Sequence, residues 1–256
     1  MIFYSCSNGE QEKIVNVEFK DAGGKKSIIP CIIRGTDTIL NGLGKYYYPN
    51  GKLEDEISFV NNLKNGWHTH YDSLGRKISK VMFRNNLEDG EAYFYDSNNL
   101  KSESFYNMGK ILYYKWFDIK GRNTIYIAMD DSIPYYHIEF DTLGKKINEK
   151  GHIFSLTRKC FSMSIDSIKL NKEIKITIPV VVFPKYKIVL EVAKFNSTGE
   201  MLFPSDTMRI ANYYAEYNTS FDQLGKQQFV VAGKLMDSNN KIIKSDTMIA
   251  NITIVK

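Results

Sequence analysis

The sequence contains few residues that cross-link a chain, interrupt strands or span a membrane. It has three cysteines and six prolines among 256 residues. The cysteines are Cys6, Cys31 and Cys160, and no Cys-x-x-Cys pair or cysteine–histidine cluster occurs, so no structural zinc site is predicted. We expect Cys31 and Cys160 to be two buried thiols unless the fold brings them together. No run of about 18 apolar residues is present that would cross a bilayer.

Signatures of catalysis and of nucleic-acid binding are also missing. The sequence has neither a Gly-x-Ser-x-Gly motif nor a glycine-rich phosphate loop. Its acidic trio, Glu54 to Glu56, occupies one predicted strand and gives no carboxylate pair across a cleft. The 34 lysines and arginines and the 29 aspartates and glutamates are spread along the chain, unlike the clustered charge of a nucleic-acid binder. We therefore predict no enzymatic activity, no cofactor and no nucleic-acid partner.

Aromatic residues, by contrast, are abundant at 13% of the chain, and they favour strands. One of them precedes a polar turn at five places, Tyr48, Tyr71, Tyr95, Phe117 and Phe140, at intervals of 23, 24, 22 and 23 residues. A fixed period of this size indicates a repeat architecture.

Each repeat has the composition of two strands and two turns. An aspartate opens the first turn in four copies, because its carboxylate accepts hydrogen bonds from backbone N–H groups ahead of it. A glycine able to take positive φ follows at Gly51, Gly75, Gly121 and Gly144, and we expect Asn99 to replace it in the third copy. A second turn, rich in asparagine, follows Phe59, Phe83 and Phe105.

Three stretches carry a family resemblance: Asn41-Gly42, residues 46–52, and residues 85–90 followed by residues 93–96. With these residues the block from about 36 to 150 resembles the bacterial variant of MORN repeats, the last two copies being degenerate. The resemblance implies a meandering antiparallel sheet of successive hairpins. It also implies little chemistry, since members of the family serve as membrane-proximal or protein-binding scaffolds and some are classed as antitoxins.

Alternation along the strands divides this block into two faces. Face one carries the aromatic residue before each turn, and we expect it to form the core. Face two mixes aromatic rings with histidine, which suits a contact surface. We predict that a protein partner binds there, to Tyr47, His68, His70, Phe94, Tyr114, Trp116 and His137. The alternative is that these rings only make cross-strand pairs within the sheet.

Metal binding on face two is not predicted. His68 and His70 share one side of a strand, but two ligands are too few, and His137 lies three repeats away. The recurring turn aspartates lack the dense oxygen ligands that calcium needs.

The N-terminus resembles the end of a bacterial lipoprotein signal peptide. An apolar tripeptide, the small residue Ser5, Cys6 and a polar stretch follow one another, although Phe3 and Tyr4 depart from the usual pair. This resemblance implies lipid attachment at Cys6 and a place in the cell envelope. A basic start and a full apolar segment are missing, so an apolar beginning of a cytoplasmic protein is the alternative.

After residue 150 the period stops. We predict three parts, which are a tether at 1–35, the repeat domain at 36–150 and an immunoglobulin-like β-sandwich at 151–256. Within the tether, Pro30 makes residues 27–34 an edge strand or an extended segment. The predicted strands of the sandwich are 159–165, 173–182, 186–195, 208–217, 228–236 and 247–255, with a short piece near 201–203.

The predicted protein is therefore all-β, an antiparallel meander of about five hairpin repeats followed by a sandwich. The function we expect is that of a non-catalytic, surface-attached scaffold that binds a protein partner. A cytoplasmic antitoxin-like protein that sequesters a toxin is the first alternative, and a carbohydrate-binding surface protein is the second.

Overall fold

The computed structural model describes residues 13–20, 24, 26–97, 99–130, 132–181, 186–211 and 213–256. Cys6 lies outside these residues. Regular structure in the described chain consists of β-strands and one short 3-10 turn, Arg158–Cys160. The predicted all-β class is confirmed. None of the described residues forms a helix of the length and apolarity needed to cross a bilayer.

The first sheet runs in nearly unbroken chain order. Its described strands pair as β1-β2-β4-β5-β6-β7-β8-β9-β10-β11-β12-β13, and β3 pairs with β2. The predicted antiparallel meander of hairpins is confirmed. The strands are β1 Lys13–Lys20, β2 Lys26–Arg34, β3 Asp37–Leu40, β4 Gly42–Tyr47, β5 Leu53–Val60, β6 Leu63–Tyr71, β7 Lys77–Arg84, β8 Leu87–Asp96, β9 Asn99–Asn107, β10 Lys110–Phe117, β11 Asn123–Asp130, β12 Ile133–Phe140 and β13 Lys146–Gly151.

The chain divides into two compact units. The first ends at Tyr126 and also includes Glu139–Ile147, and the second contains Ile127–Ile138 and Asn148–Lys256. The repeat strands β4 to β10 therefore belong to the first unit.

The turns that follow β6, β10 and β12 share one hydrogen-bonding pattern. The carboxylate of Asp72 accepts bonds from the backbone N–H groups of Leu74 and Arg76, both at 2.9 Å. Asp118 and Asp141 do the same in their own turns. The predicted role of these aspartates is confirmed, since each one satisfies backbone donors that the turn leaves without a strand partner.

The turns at the opposite end of the strands join each copy to the previous one. Asn61 and Asn62 both have positive φ, 49° and 68°, as a two-residue type I′ hairpin requires. The backbone N–H of Asn62 donates to the carbonyl of Leu40 at 3.0 Å, and the N–H of Leu40 donates to the Asn62 side chain at 2.7 Å. Asn86 makes the same two bonds with Lys64. These turns thus make hydrogen bonds between residues that are 22 positions apart in the sequence.

One glycine of each early copy is required by its surroundings. Gly66 has φ +112°, and a Cβ placed on it would lie 2.9 Å from the Cβ of Ser58. Gly42 and Gly90 occupy the equivalent places, with φ +122° and +118° and similar approaches to Pro30 and Met82. A side chain here would be strained by the backbone angle and would also collide with the neighbouring strand.

The first and third copies depart from the predicted alignment. Tyr48 occupies the place of Asp72, because its N–H donates to Lys52 as that of Asp72 donates to Arg76. The aromatic residue equivalent to Tyr71 is therefore Tyr47. The third turn has two residues between Asp96 and Asn99, which pair with each other. The prediction that Asn99 replaces glycine is wrong, because this shorter turn places it in a strand.

The predicted tether at 1–35 is wrong for its described residues. Strands β1 and β2 belong to the repeat sheet, and β2 has neighbours on both sides, so it is not an edge strand. Pro30 is tolerated because its side without an N–H faces the break between β3 and β4. There its carbonyl accepts a bond from Asn41 at 2.9 Å.

The prediction that face one forms the core is right only in part. Tyr113 lies on face one with Lys115 and is buried there, stacked on the buried Tyr126 at 5.6 Å. Another part of the core lies on face two. Directly paired residues of antiparallel strands point to the same face. By this register the cluster of Ile29, Cys31, Ile57 and Phe59 lies on face two. Face one carries a mixed row, Lys45, Glu56, Thr69, Lys80, Tyr93, Glu103 and Lys115. A recurrent aromatic before each turn marked the end of a strand rather than the buried side.

The second unit contains two further sheets. The five-stranded sheet has the order β14-β21-β20-β16-β17, and the three-stranded sheet has the order β15-β19-β18. The sheets pack face to face, with the rings of Phe229 in β20 and Tyr217 in β19 6.3 Å apart. The strands are β14 Ile168–Lys169, β15 Ile174–Pro179, β16 Lys187–Asn196, β17 Met201–Thr207, β18 Arg209–Ala211, β19 Tyr214–Thr219, β20 Gly225–Met236 and β21 Ile242–Val255. The immunoglobulin-like resemblance stays a prediction.

Two predicted strands of this unit are wrong. Of residues 159–165, Lys159 and Cys160 belong to the 3-10 turn and Phe161 forms an isolated bridge with Ile176, while the Cys160 thiol donates to the carbonyl of Ser155 at 3.3 Å. Residues 208–217 are not one strand, since β18 and β19 pair with each other after a reversal. Cys31 and Cys160 are free and buried, as expected.

Replacing Gly66 by alanine is expected to lower the free energy of unfolding by about 2–4 kcal/mol, from backbone strain and collision with Ser58. Gly75→Ala is the matched control, since its φ is +84° but its nearest neighbour, Lys52, lies 3.8 Å away. We expect this control to lose only about 1–2 kcal/mol. Urea denaturation measures both, and equal losses would show that the approach to Ser58 is unimportant.

Candidate functional site

A row of rings crosses face two of the first unit. Strand pairing places Tyr46, His70, Phe94 and Trp116 on one line. We call these four residues the ring row. They stand on β4, β6, β8 and β10, so neighbouring rings are two strands or about 10 Å apart.

Small residues stand between the rings. Asp55 lies between Tyr46 and His70, Ser79 lies between His70 and Phe94, and Ser102 lies between Phe94 and Trp116. The row therefore alternates ring and small polar side chain from strand to strand. A hydroxyl or carboxylate group therefore lies between each pair of rings.

A second row of side chains lies on the same face, two residues away from the ring row along each strand. It consists of Gly44, Ile57, His68, Val81, Ala92, Ser104 and Tyr114. Ile57, Val81, Ala92 and Ser104 are buried. Tyr46 of the ring row packs against the buried cluster that contains Ile57.

Exposure increases towards the end of the ring row. Phe94 and Tyr114 are half-buried, whereas Trp116 is 42% exposed, an unusual value for so large an apolar side chain. The ammonium of Lys101 lies 5.9 Å from the centre of the Trp116 ring. Trp116 is therefore the ring that a partner would reach most easily.

Asp55 joins the two histidines. Its Oδ1 lies 2.7 Å from Nε2 of His68 and 2.9 Å from Nδ1 of His70. An ionised carboxylate only accepts, so both ring nitrogens that face it carry the proton and donate. Burial opposes ionisation of Asp55, but the bonds from the two histidines outweigh it and hold the pKa of this carboxyl below its usual value.

The arrangement orients the imidazole rings. Both side chains are held by one carboxylate, and the His68 ring also lies 5.9 Å from the ring of Phe83. Across the described residues, no group of three or more histidine, cysteine, aspartate or glutamate side chains is placed to hold a metal ion.

The sequence analysis did not identify Asp55 as the partner of His68 and His70, although the sequence contains a signal for this pairing. A two-residue turn at Asn61 and Asn62 pairs residue 60 with residue 63. Counting back along both strands brings Asp55 opposite His68, and an irregularity after Ile57 shifts the pairing to His70. Either register places the carboxylate beside the histidines.

Two predicted residues of the candidate face lie elsewhere. Tyr47 pairs with Leu53, in the position of Tyr71, so its placement on this face is wrong and Tyr46 takes its place. The cause is the shift in the first copy, where Tyr48 occupies the aspartate position. His137 lies on β12 in the second compact unit and is half-buried. The structure brings His68, His70, Phe94, Tyr114 and Trp116 together on one face.

Comparison with known proteins supports the repeat assignment. Two segments match the MORN repeat variant. They are residues 40–61 and residues 88–108, which lie two repeat periods apart. Such repeats are commonly binding or scaffold modules, which is consistent with a non-catalytic binding role. No curated protein matches the chain.

The low pKa of Asp55 predicts acid sensitivity. Its folded pKa lies below the usual 3.8, so its contribution to stability is present above about pH 4 and is lost as the pH falls through the folded value. Asp55→Asn is expected to cost about 1–2 kcal/mol at pH 6, and the difference from wild type should shrink below pH 4. In a His68→Gln/His70→Gln background this pH-dependent difference should disappear. A difference that stays constant from pH 6 to pH 2.5 would contradict the assignment.

Proposed function

We propose that the protein is a non-catalytic scaffold that binds a protein partner through the ring row and the neighbouring Tyr114. The observation that carries the proposal is the regular alternation of rings and small polar residues, ending in the exposed Trp116. Aromatic rings with polar edges supply much of the binding energy in protein interfaces. Side chains of the partner would pack between the rings, beside Ser79 and Ser102.

The Asp55 carboxylate supports this role by fixing two rings before a partner arrives. A side chain that is already oriented loses less conformational entropy on binding. His68 and His70 are both held within hydrogen-bonding distance of one oxygen atom.

The opposite face is less suited to binding because its charged groups pair with each other. Lys115 lies 2.9 Å from Glu103, and Lys45 lies 3.7 Å from Glu56. The ammonium of Lys80 lies 4.2 Å from the centre of the Trp67 ring. The only other tryptophan of the chain is thus on face one, which makes it a matched control for Trp116.

The test begins with capture of a partner from the native host by the wild-type chain, followed by its identification by mass spectrometry. With the purified partner, Trp116→Ala is expected to weaken binding about 30-fold or more, because the variant loses the most accessible ring of the row. Trp67→Ala is expected to leave the affinity within about twofold, as a residue outside the interface should.

Tryptophan fluorescence provides a second readout of the same binding. In the Trp67→Phe variant only Trp116 reports, and its emission should shift when the partner is added. Equal affinities of wild type and Trp116→Ala would remove the ring row from the interface.

The nature of the partner separates the two alternatives. A captured toxin encoded beside this gene would assign the antitoxin-like role. Binding on a glycan array that depends on Trp116 would assign the carbohydrate-binding role, and an array without binding would remove it.

We also propose that Cys6 carries a lipid that places the protein in the cell envelope. The support is the sequence around Cys6 alone, and a lipid anchor would hold the chain at a membrane surface without a spanning segment.

The anchor is tested in the native host, with the natural gene and its upstream sequence, by labelling with an alkyne fatty acid. The wild type should take up the label and sediment with membranes, and Cys6→Ser should lose both properties. Cys160→Ala, which alters a buried thiol, should retain the label. An unlabelled wild-type protein would leave the cytoplasmic alternative.

A further inference from the structure

The last strand of the chain, β21, has one side that is largely open. The strand runs over 14 residues, Ile242–Val255, and β20 pairs with one side of it along almost the whole length. On the other side lies β14, a strand of two residues that pairs with Ile254 and Val255. Among the described residues, no strand pairs with this second side between Ser245 and Asn251. We call the stretch Ser245–Asn251 the open edge.

The backbone of the open edge directs hydrogen-bonding groups to that side. The N–H of Thr253 donates to the carbonyl of Ile165 at 2.8 Å, and the carbonyl of Val255 accepts a bond from the N–H of Leu170 at 2.8 Å, both on the side of β14. Every second residue of a strand directs its N–H and C=O to the same side. Counting back from Thr253, the groups that point outwards in the open edge are those of Ser245, Thr247, Ile249 and Asn251.

Other strands at the margins of the sheets have features that hinder pairing with a further strand. β14 and β18 have only two and three residues. The pairing of β17 with β16 is irregular at two points, and β13 exposes Lys146 and Lys150. Short strands, irregular pairing and exposed lysines all protect a sheet against association at its edges. The open edge contains no lysine, arginine or proline, and its pairing with β20 is regular throughout.

The one charged side chain of the open edge already has partners. The Asp246 carboxylate accepts a bond from the backbone N–H of Ile153 at 2.8 Å and lies 3.2 Å from Nδ1 of His152. The exposed side chains that alternate with it are neutral, and among them Ile249 is 55% exposed. An exposed, regular and uncharged edge strand favours pairing with another strand.

The open edge is complementary to itself. Two copies that pair antiparallel about a twofold axis bring the same residues together from both sides. With the axis at Met248, the opposed pairs are Thr247 with Ile249, Asp246 with Ala250 and Ser245 with Asn251. No like charges oppose each other, and β-branched residues face each other as they do in stable sheets. The outward backbone groups of the two copies then form about eight hydrogen bonds.

We infer that the chain forms a twofold dimer in which the open edge of one copy pairs antiparallel with the open edge of a second copy. The inference is independent of the protein-binding role proposed above, because the open edge belongs to the second compact unit and the ring row belongs to the first. A dimer carries two ring rows, so a partner with two binding sites is held more tightly by the dimer than by one copy.

Sedimentation equilibrium of the purified full chain, from about 5 to 300 μM, tests the dimer. The wild type should dimerise with a Kd on the order of 30 μM, as expected of a small interface. Ile249→Lys should weaken the dimer about tenfold or more, because it places two ammonium groups at the paired edges. The matched control is Ile147→Lys, since Ile147 is 62% exposed on β13, and this variant should stay within about threefold of the wild type.

A pair of cysteine variants tests the register, in a Cys6→Ser background that removes one further thiol. Ser245→Cys mixed with Asn251→Cys should give a cross-linked dimer when diamide is added as the oxidant, because opposed Cα atoms lie about 5.5 Å apart. Either variant alone should not cross-link, because its two cysteines lie about 20 Å apart on either side of the axis.

The opposite results overturn the inference. A wild-type chain that stays monomeric at about 300 μM does not form this dimer. Equal weakening by Ile249→Lys and Ile147→Lys, or a dimer in which the mixed cysteine variants do not cross-link, places the contact on another surface. If the wild type stays monomeric and Ile249→Lys abolishes binding of the purified partner, a strand of that partner occupies the open edge instead of a second copy.

Discussion

The repeat sheet depends on hydrogen bonds between residues that lie 22 positions apart in the sequence. Asn62 and Asn86 each exchange two hydrogen bonds with a residue of the previous copy, and they do so only with both turn residues at positive φ. This requirement explains the Asn-Asn pairs, because asparagine tolerates that conformation better than other residues with a side chain. It also sets the length of a copy, since an extra residue would move the donor away from its carbonyl. The regular spacing of the rings on face two follows from that constant length.

Buried side chains lie on both faces of the first unit. Ile57, Val81 and Ala92 are buried on face two, whereas Tyr113 and Tyr126 are buried on face one, with their rings 5.6 Å apart. Tyr46 of the ring row packs against the cluster that contains Ile57, so on the proposed binding face one side chain would serve both stability and recognition. For this reason the matched variants compare residues of equal type or exposure, because a loss of binding alone does not separate the two roles.

Much of the repeat fold could be predicted from the sequence, because turn chemistry is local. The aspartates act on backbone groups within a few residues of themselves, and the glycines and asparagine pairs supply the positive φ that a tight turn needs, so their positions located the strand ends. Register was harder to predict. Tyr46, Tyr47 and Tyr48 are three consecutive tyrosines, and only the bond from Tyr48 to Lys52 shows which of them begins the turn.

The site was less predictable than the fold, because its central contact crosses between strands. Asp55 and His68 are 13 residues apart, and their contact depends on the pairing of β5 with β6. In the second half, residues 208–217 are apolar on both sides of a reversal, so composition did not reveal the hairpin. The strand expected at 159–165 is wrong for a similar reason, since its apolar composition did not reveal the 3-10 turn that ends at Cys160.

The hydrogen bonds between successive copies also bear on how such a chain evolves. They run from one copy to the copy before it, so a hairpin pair carries its own donors and acceptors with it. In assemblies coupled only between neighbours, whole units are gained or lost with little disturbance to the rest. A single-residue change is more disruptive inside a copy than at a turn tip, and the shortened third turn shows where the sheet accepts one. Duplication of complete units, followed by divergence at the tips, is the route of growth that this architecture favours.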